Sequence, residues 1–209
     1  MLKKDEIMQL VKDAITQGKY KDGQKLVENK LCEDFGVGRN IIREALKQLN
    51  HEGFIKIVPF QGAFVSELTT KDIAQIYDIL GVLEGLSMRI ATPTITDEEI
   101  ENISLLIEKV EQNQNNKFTL YESNLKFHQY MTELGKNQRL ISFTEILRQQ
   151  ARRMSLASFY LPEQIAASIL EHRNILEAIK ERKPSEVERL IVEHYIVSRD
   201  LLIKALIYS

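Results

Sequence analysis

Apolar positions Ile7, Leu10, Val11, Ala14 and Ile15 recur at helical spacing and predict a helix over 3–17. Gly18 ends it, and Lys19-Tyr20-Lys21-Asp22-Gly23 reads as a turn. A short helix is predicted over 27–34, with Leu31 and Phe35 inward, and Gly36-Val37-Gly38 breaks it. A third helix runs from 39 to 52 with Ile42, Ala45, Leu46 and Leu49 on one face. Two β-prone pieces follow, Phe54-Ile-Lys-Ile-Val58 and Ala63-Phe-Val-Ser66, joined by Pro59-Phe60-Gln61-Gly62 with hairpin chemistry. From Thr69 onward the period is helical almost without pause. Six helices are predicted near 70–91, 96–114, 119–135, 138–159, 162–182 and 184–207. Thr96 with Glu99 and Ser185 with Glu188 have capping-box spacing. Pro162 and Pro184 suit a first helical turn, and Gly135 suits a helix end. The connections are short, so successive helices should pack antiparallel.

The expected fold class is therefore mainly α, in two domains. Residues 1–66 form a winged helix-turn-helix of three helices plus a small β-hairpin, and residues 67–209 form a six-helix antiparallel bundle. A length of 209 residues and 44% apolar content suit two domains with real cores. No apolar run is long enough for a transmembrane helix, and the charged start Met1-Leu-Lys-Lys-Asp-Glu does not read as a signal peptide. A single cysteine, Cys32, rules out an internal disulfide framework and fits a reducing compartment; as a side chain it reads as a small buried group. These features point to a cytoplasmic protein without a membrane partner. The net charge of −2 is uninformative, but its distribution is not. Residues 1–66 hold 11 Lys/Arg against 9 Asp/Glu, net +2, leaving 17 and 21 of the chain's 28 and 30 for residues 67–209, net −4. That is the sign expected of a DNA-binding head on an acidic body.

In a helix-turn-helix the N-terminal end of the last helix enters the major groove. Here that end is Gly38-Arg39-Asn40-Ile41-Ile42-Arg43. Arg39 and Arg43 are four apart and share a face, and arginine suits bidentate contact with guanine or phosphate. Asn40 has the groups to read adenine or to bind phosphate, and Gly62 would let the wing backbone come close to the minor groove. An ordinary solvated face would look similar.

Of four histidines, His51 is expected to face solvent. His128, His172 and His194 lie on three different predicted helices, each on an apolar stripe. A lone inward histidine is usually a hydrogen-bonded core residue. Three inward on three helices of one bundle can instead converge as a metal site, with Asn124, four residues before His128, as an oxygen ligand.

The head resembles the N-terminal domain of GntR-family regulators over residues 4–66. The match runs through Ala14-Ile15-x-x-Gly18, Asp22-Gly23-x-x-Leu26, Phe35-Gly36-Val37-x-Arg39, Arg43-Glu44-Ala45-Leu46-x-x-Leu49, Glu52-Gly53-Phe54-Ile55 and Gly62-Ala63-Phe64-Val65. The resemblance implies operator contact at Arg39, Asn40, Arg43 and Gly62. Gly38 departs from the usual Ser or Thr, which would cap the helix. Residues 70–207 resemble the FCD domain of the FadR-like branch, through Leu83-Glu84-Gly85, Asn124-x-x-Phe127-His128, Glu171-His172-Arg173-x-Ile175-Leu176-x-Ala178-Ile179 and His194. This implies one divalent transition-metal ion, zinc or nickel, held by His128, His172, His194 and Asn124 beside a small organic acid. Asn124 stands where Asp is common, and Leu80 where an arginine often pairs with the acid. Arg148 and Arg152, on one helical face, are the candidate substitutes for effector binding; they also read as exposed bundle charges.

The expected function is an operator-binding transcriptional regulator, a homodimer controlled by a small effector. One alternative is a regulator whose metal is purely structural. Another is a zinc hydrolase using the three histidines to activate water, but no serine elbow, phosphate loop or nucleotide fingerprint accompanies them.

Overall fold

A computed structural model describes residues 3–155 and 162–208. The chain divides into two compact units, Met1–Thr69 and Thr70–Ser209. In the first, α1 (Lys4–Thr16), β1 (Lys25–Leu26), α2 (Glu28–Phe35), α3 (Arg39–His51), β2 (Ile55–Val58) and β3 (Gly62–Val65) follow in order. The sheet is antiparallel with strand order β1-β3-β2. The predicted hairpin is therefore the larger part of a three-stranded sheet. Its extra strand is two residues long, too short for any alternation to be visible in the sequence. It is held because Lys25 and Leu26 pair with Phe64 and Ala63.

The core of this unit is built from the stripes that predicted it. Ile7, Val11 and Ile15 of α1, Leu31 of α2 and Ile42, Ala45, Leu46 and Leu49 of α3 meet Phe54, Ile55, Ala63 and Val65. Each large side chain buried this way contributes on the order of 1.5–3 kcal/mol. The result fixes α3 against α1 and the sheet, and leaves its other face outside.

The second unit contains α4 (Thr70–Ala91), a 3-10 turn (Thr92–Thr94), α5 (Asp97–Gln112), α6 (Lys117–Leu134), α7 (Gln138–Ser155), α8 (Pro162–Lys180) and α9 (Pro184–Tyr208). The last residues predicted for α7, 156–159, lie outside the described residues. The Thr96–Glu99 capping box is formed: Glu99 N–H donates to Thr96 Oγ1 at 3.1 Å and Thr96 N–H to Glu99 Oε2 at 2.8 Å. The Ser185–Glu188 box is not. Pro184 is already the first residue of α9, which puts Ser185 inside the helix, and Glu188 instead accepts from Arg89 at 3.1 Å.

α4 packs against α6, α7 and α9. Its contact with α9 is antiparallel and close. Asp78 pairs with Arg199 near one end and Arg89 with Glu188 near the other. Between them, a Cβ on Gly81 would sit 3.0 Å from Tyr195 Cβ, and one on Gly85 would sit 3.2 Å from the Glu188 carbonyl oxygen. Only glycine lets the backbones come so near.

Candidate functional site

The first unit presents the N-terminal half of α3 to solvent. Arg39, Asn40 and Arg43 are all exposed, as is Lys47 one turn further on. Arg43 Nε donates to Glu28 Oε2 at 2.9 Å, which ties the third helix to the first turn of the second. Gly38 is the N-cap of α3 and makes no side-chain capping bond, as its missing hydroxyl requires. Gly62 begins β3 with a φ of 106°, a value that side-chain-bearing residues rarely adopt. His51 is exposed.

The second unit brings His128 of α6, His172 of α8 and His194 of α9 together. One ligand nitrogen from each lies within 4.8 Å of the other two, and all three residues are buried. The Nε2 atoms of His172 and His194 are 3.3 Å apart. Two nitrogens bound tetrahedrally at Zn–N distances of about 2.0–2.1 Å would be about 3.3–3.4 Å apart, so this pair is already at ligand spacing. Burial, together with each other's charge, holds the pKa of His172 well below the ordinary histidine value; burial also lowers that of His128, against the pull of Glu84. Neutral imidazoles are the form that ligates.

What orients the rings was not read from the sequence. Glu84 of α4 is 1% exposed. Its Oε1 accepts from His128 Nδ1 at 2.8 Å, and its Oε2 accepts from Arg148 Nη2 at 2.6 Å and from the Tyr195 hydroxyl at 2.9 Å. Arg148 Nη2 also donates to Thr132 Oγ1 and to the carbonyl of His128. Burial would raise the Glu84 pKa, but His128 and Arg148 outweigh it and the carboxyl is held below its usual range. Glu171 plays the same part for His194, whose Nδ1 lies 2.6 Å from its Oε2. With both Nδ1 atoms engaged by carboxylates, Nε2 is the lone-pair nitrogen of His128 and of His194, the latter 3.3 Å from His172 Nε2, an arrangement usual around histidine-bound metals. His172 Nδ1 has no hydrogen-bond partner. The donor set thus fits a divalent transition ion.

A small cavity of about 60 Å³ adjoins the cluster, and Leu80, Tyr121, Asn124, His128, Arg148 and His194 are among its walls. Asn124 is half-buried there. Arg148 is not an exposed bundle charge: it is 6% exposed and ion-paired with Glu84. Arg152 is half-buried, bonded to Glu122 at 2.9 Å, and its guanidinium lies 5.9 Å from the centre of the Tyr121 ring. The buried face of α9 runs through His194 itself and Val187 and Ile191. Tyr195 and Leu202 are buried, whereas Val197 is 40% exposed, because α4 packs so closely on the Tyr195 side.

Residues 3–65 match the bacterial regulatory proteins of the gntR family, and residues 75–196 match the FCD domain. The chain is 26% identical over 188 residues to an uncharacterized HTH-type transcriptional regulator, YdhC, of Bacillus subtilis, spanning 88% of this chain and 84% of that one. It is 28% identical to the Uxu operon regulator of Haemophilus influenzae, over 90% of this chain and 77% of that one. The solved structure of Escherichia coli McbR/YncC superposes with a TM-score of 0.78 at 20% identity, covering 98% and 99% of the two chains, and so shares the fold. Both of these sequence relatives are regulators by name, which sets the hydrolase alternative aside. None of the described helices is long and apolar enough to cross a membrane. A winged helix-turn-helix head followed by an FCD domain makes this chain a member of the GntR family of DNA-binding transcriptional regulators.

Proposed function

We propose that this regulator holds one divalent transition-metal ion, zinc or nickel, at His128, His172 and His194, with Asn124 as a weaker oxygen ligand, and that a small effector seated in the adjoining cavity alters its affinity for operator DNA. The observation that carries the metal assignment is the convergence of three buried imidazoles, two of them backed by carboxylates. Imidazole ligands favour zinc, nickel and their neighbours over magnesium or calcium. When bound, the ion would supply a cationic position at which an effector carboxylate could be held. Glu84 and Glu171 fix the ring orientations, and α6, α8 and α9 become tied through one point. Arg39, Asn40, Arg43 and Gly62 are the groups assigned to the operator, a role that would be carried out where the chromosome is, in the cytoplasm.

The test is melting temperature after chelation and after zinc readdition, in wild type and His172→Ala. Metal bound to the folded state stabilises it by mass action, so only wild type should respond. Identical curves in all four conditions would reject the site. Operator affinity measured with and without short-chain carboxylic acids then examines the effector.

A second reading, a structural ion with no effector, is favoured by one observation. Arg148 is already neutralised by Glu84, and Leu80 adds no charge, so neither wall residue offers a free cation to an acid. Metal-dependent melting with acid-independent DNA binding would select it.

The working form is proposed to be a two-fold homodimer, because one recognition helix reads too few base pairs to pick out a genomic site. Its interface is assigned to the outer face of α4. Ile79, Val82, Leu86 and Ile90 recur three or four residues apart, and Ile79, Val82 and Ile90 are 48%, 56% and 49% exposed. Antiparallel pairing of two such helices sets Ile79 against Ile90 and Val82 against Leu86, so the stripe is complementary to a copy of itself.

A further inference from the structure

Phe60 sits at the tip of the β2–β3 turn, in a setting that a phenylalanine does not ordinarily occupy. Gln61 N–H donates to the Val58 carbonyl at 3.1 Å, so Val58-Pro59-Phe60-Gln61 is a closed four-residue turn. Phe60, at its third position, has a φ of 63°. That slot is normally filled by glycine or asparagine, which enter the left-handed region without a bulky side chain. The ring gains nothing from packing in exchange, since Phe60 is 109% exposed. A large apolar group held outward on a strained turn destabilises the free protein twice over, and needs a reason outside it.

The surroundings of the turn say what it would meet. Lys25 and Lys56 both pair in register with Phe64, one from each side, so two lysines flank the sheet face that leads to the turn. Both are exposed, and the Lys25 ammonium lies 5.8 Å from the centre of the Phe64 ring. Gly62 is on the same face, next to Lys25 Cε at 3.4 Å from where its Cβ would be. An apolar tip at the end of a sheet face that carries two cations matches a polyanion whose interior is aromatic, which is duplex DNA.

We infer that Phe60 is an apolar wedge that presses between two base pairs in the minor groove while Lys25 and Lys56 hold the flanking phosphates. The inference rests on the head reading DNA through α3, as proposed above. Side chains that enter a base step this way unstack it and kink the duplex toward the major groove. Flexible pyrimidine–purine steps deform most easily, so Phe60 would add sequence preference at a position that no hydrogen bond reads.

The experiment uses the full chain and a duplex it has selected from random-sequence DNA, with 2-aminopurine placed in turn at each step. Wild type should raise the fluorescence at one step per half-site as that base unstacks. Phe60→Ala should abolish the rise and weaken binding roughly tenfold. The salt dependence of binding should be unchanged, because no charge is removed, whereas Lys56→Ala should reduce it. Phe60→Gly, which relieves the backbone, should melt at or above the wild-type temperature yet lose the same affinity, separating the wedge from any folding defect. Phe60→Ala indistinguishable from wild type in affinity and fluorescence, while Arg39→Ala weakens binding, would overturn the wedge alone. Lost affinity with no fluorescence rise in wild type would overturn insertion too. If Arg39→Ala also leaves binding unchanged, the DNA-reading surface of the whole head is wrong and the wedge falls with it.

Discussion

The Nδ1 of His128 donates to a carboxylate, Glu84 Oε1, that arrives from a different helix and is itself clamped by Arg148 and Tyr195. Glu84 and Arg148 are 1% and 6% exposed, so the pair lies beyond solvent screening. Removing one partner leaves the other buried and uncompensated, which typically costs about 3–5 kcal/mol. Glu84→Gln is therefore expected to destabilise the second unit by that order in urea unfolding. Glu84→Gln with Arg148→Met should recover part of it; a double variant no better than the single would show that the ion pair is not the cause.

Acid should weaken the fold through the histidines. His172 and His128 have pKa values held down by burial, His172 the more so, whereas in the unfolded chain both return to about 6.5. Below that value the unfolded state binds protons that the folded state refuses, so stability falls as pH falls from about 6.5. Bound metal has the same sign, because protonated imidazoles cannot ligate. Unfolding free energy measured between pH 7.5 and 5 after chelation should slope downward toward acid, and His172→Phe should flatten the slope.

Arg43→Ala is expected to weaken specific operator binding by about 1–3 kcal/mol if the guanidinium reads a base. If it meets only phosphate, the loss should be similar on random DNA and the salt slope should shrink. Its ion pair with Glu28 is solvent-exposed at both ends, so the melting temperature should barely move. Unaltered binding to both DNAs would remove Arg43 from the groove.

Gly38→Ser should add the missing cap to α3. Gly38 has a φ of −73°, and no atom lies within 4 Å of where its Cβ would be, so serine fits without strain. Relative to glycine the gain is a few tenths of a kcal/mol, read as a small rise in melting temperature. A fall would show that the N-cap geometry does not admit the hydroxyl.

Val82→Asp tests the dimer. Val82 is 56% exposed, so the change should leave the fold intact by circular dichroism, while setting a carboxylate on the proposed two-fold seam. Light scattering should report a monomer. A dimer of wild-type affinity would move the interface off α4.

How far the sequence reached depends on the range of the interaction concerned. Helix periods are local, and the three histidines were legible because each lies on a stripe defined by its own neighbours. Glu84 was not, although Leu83-Glu84-Gly85 stands out as a motif, because its partners His128, Arg148 and Tyr195 stand 44, 64 and 111 residues away. Arg148 was readable only as a cation, since its burial depends on what α4 and α6 place around it. β1 left no trace for a related reason: two residues have no pattern, and Lys25 and Leu26 become a strand only when Phe64 and Ala63 arrive. In the sequence Phe60 reads only as one letter of a turn. Its exposure and its left-handed backbone are both properties of the folded wing.

The contact at Gly81 and Gly85 leaves no cushion of side chains between α4 and α9, so these two helices cannot slide or rock independently. They behave mechanically as one beam. His194 is mounted on that beam, and so is Thr70, where the chain resumes helix after the four residues 66–69 that follow β3. If the proposed site is occupied, any shift it imposes on His194 would therefore be carried by α4 as well as by α9.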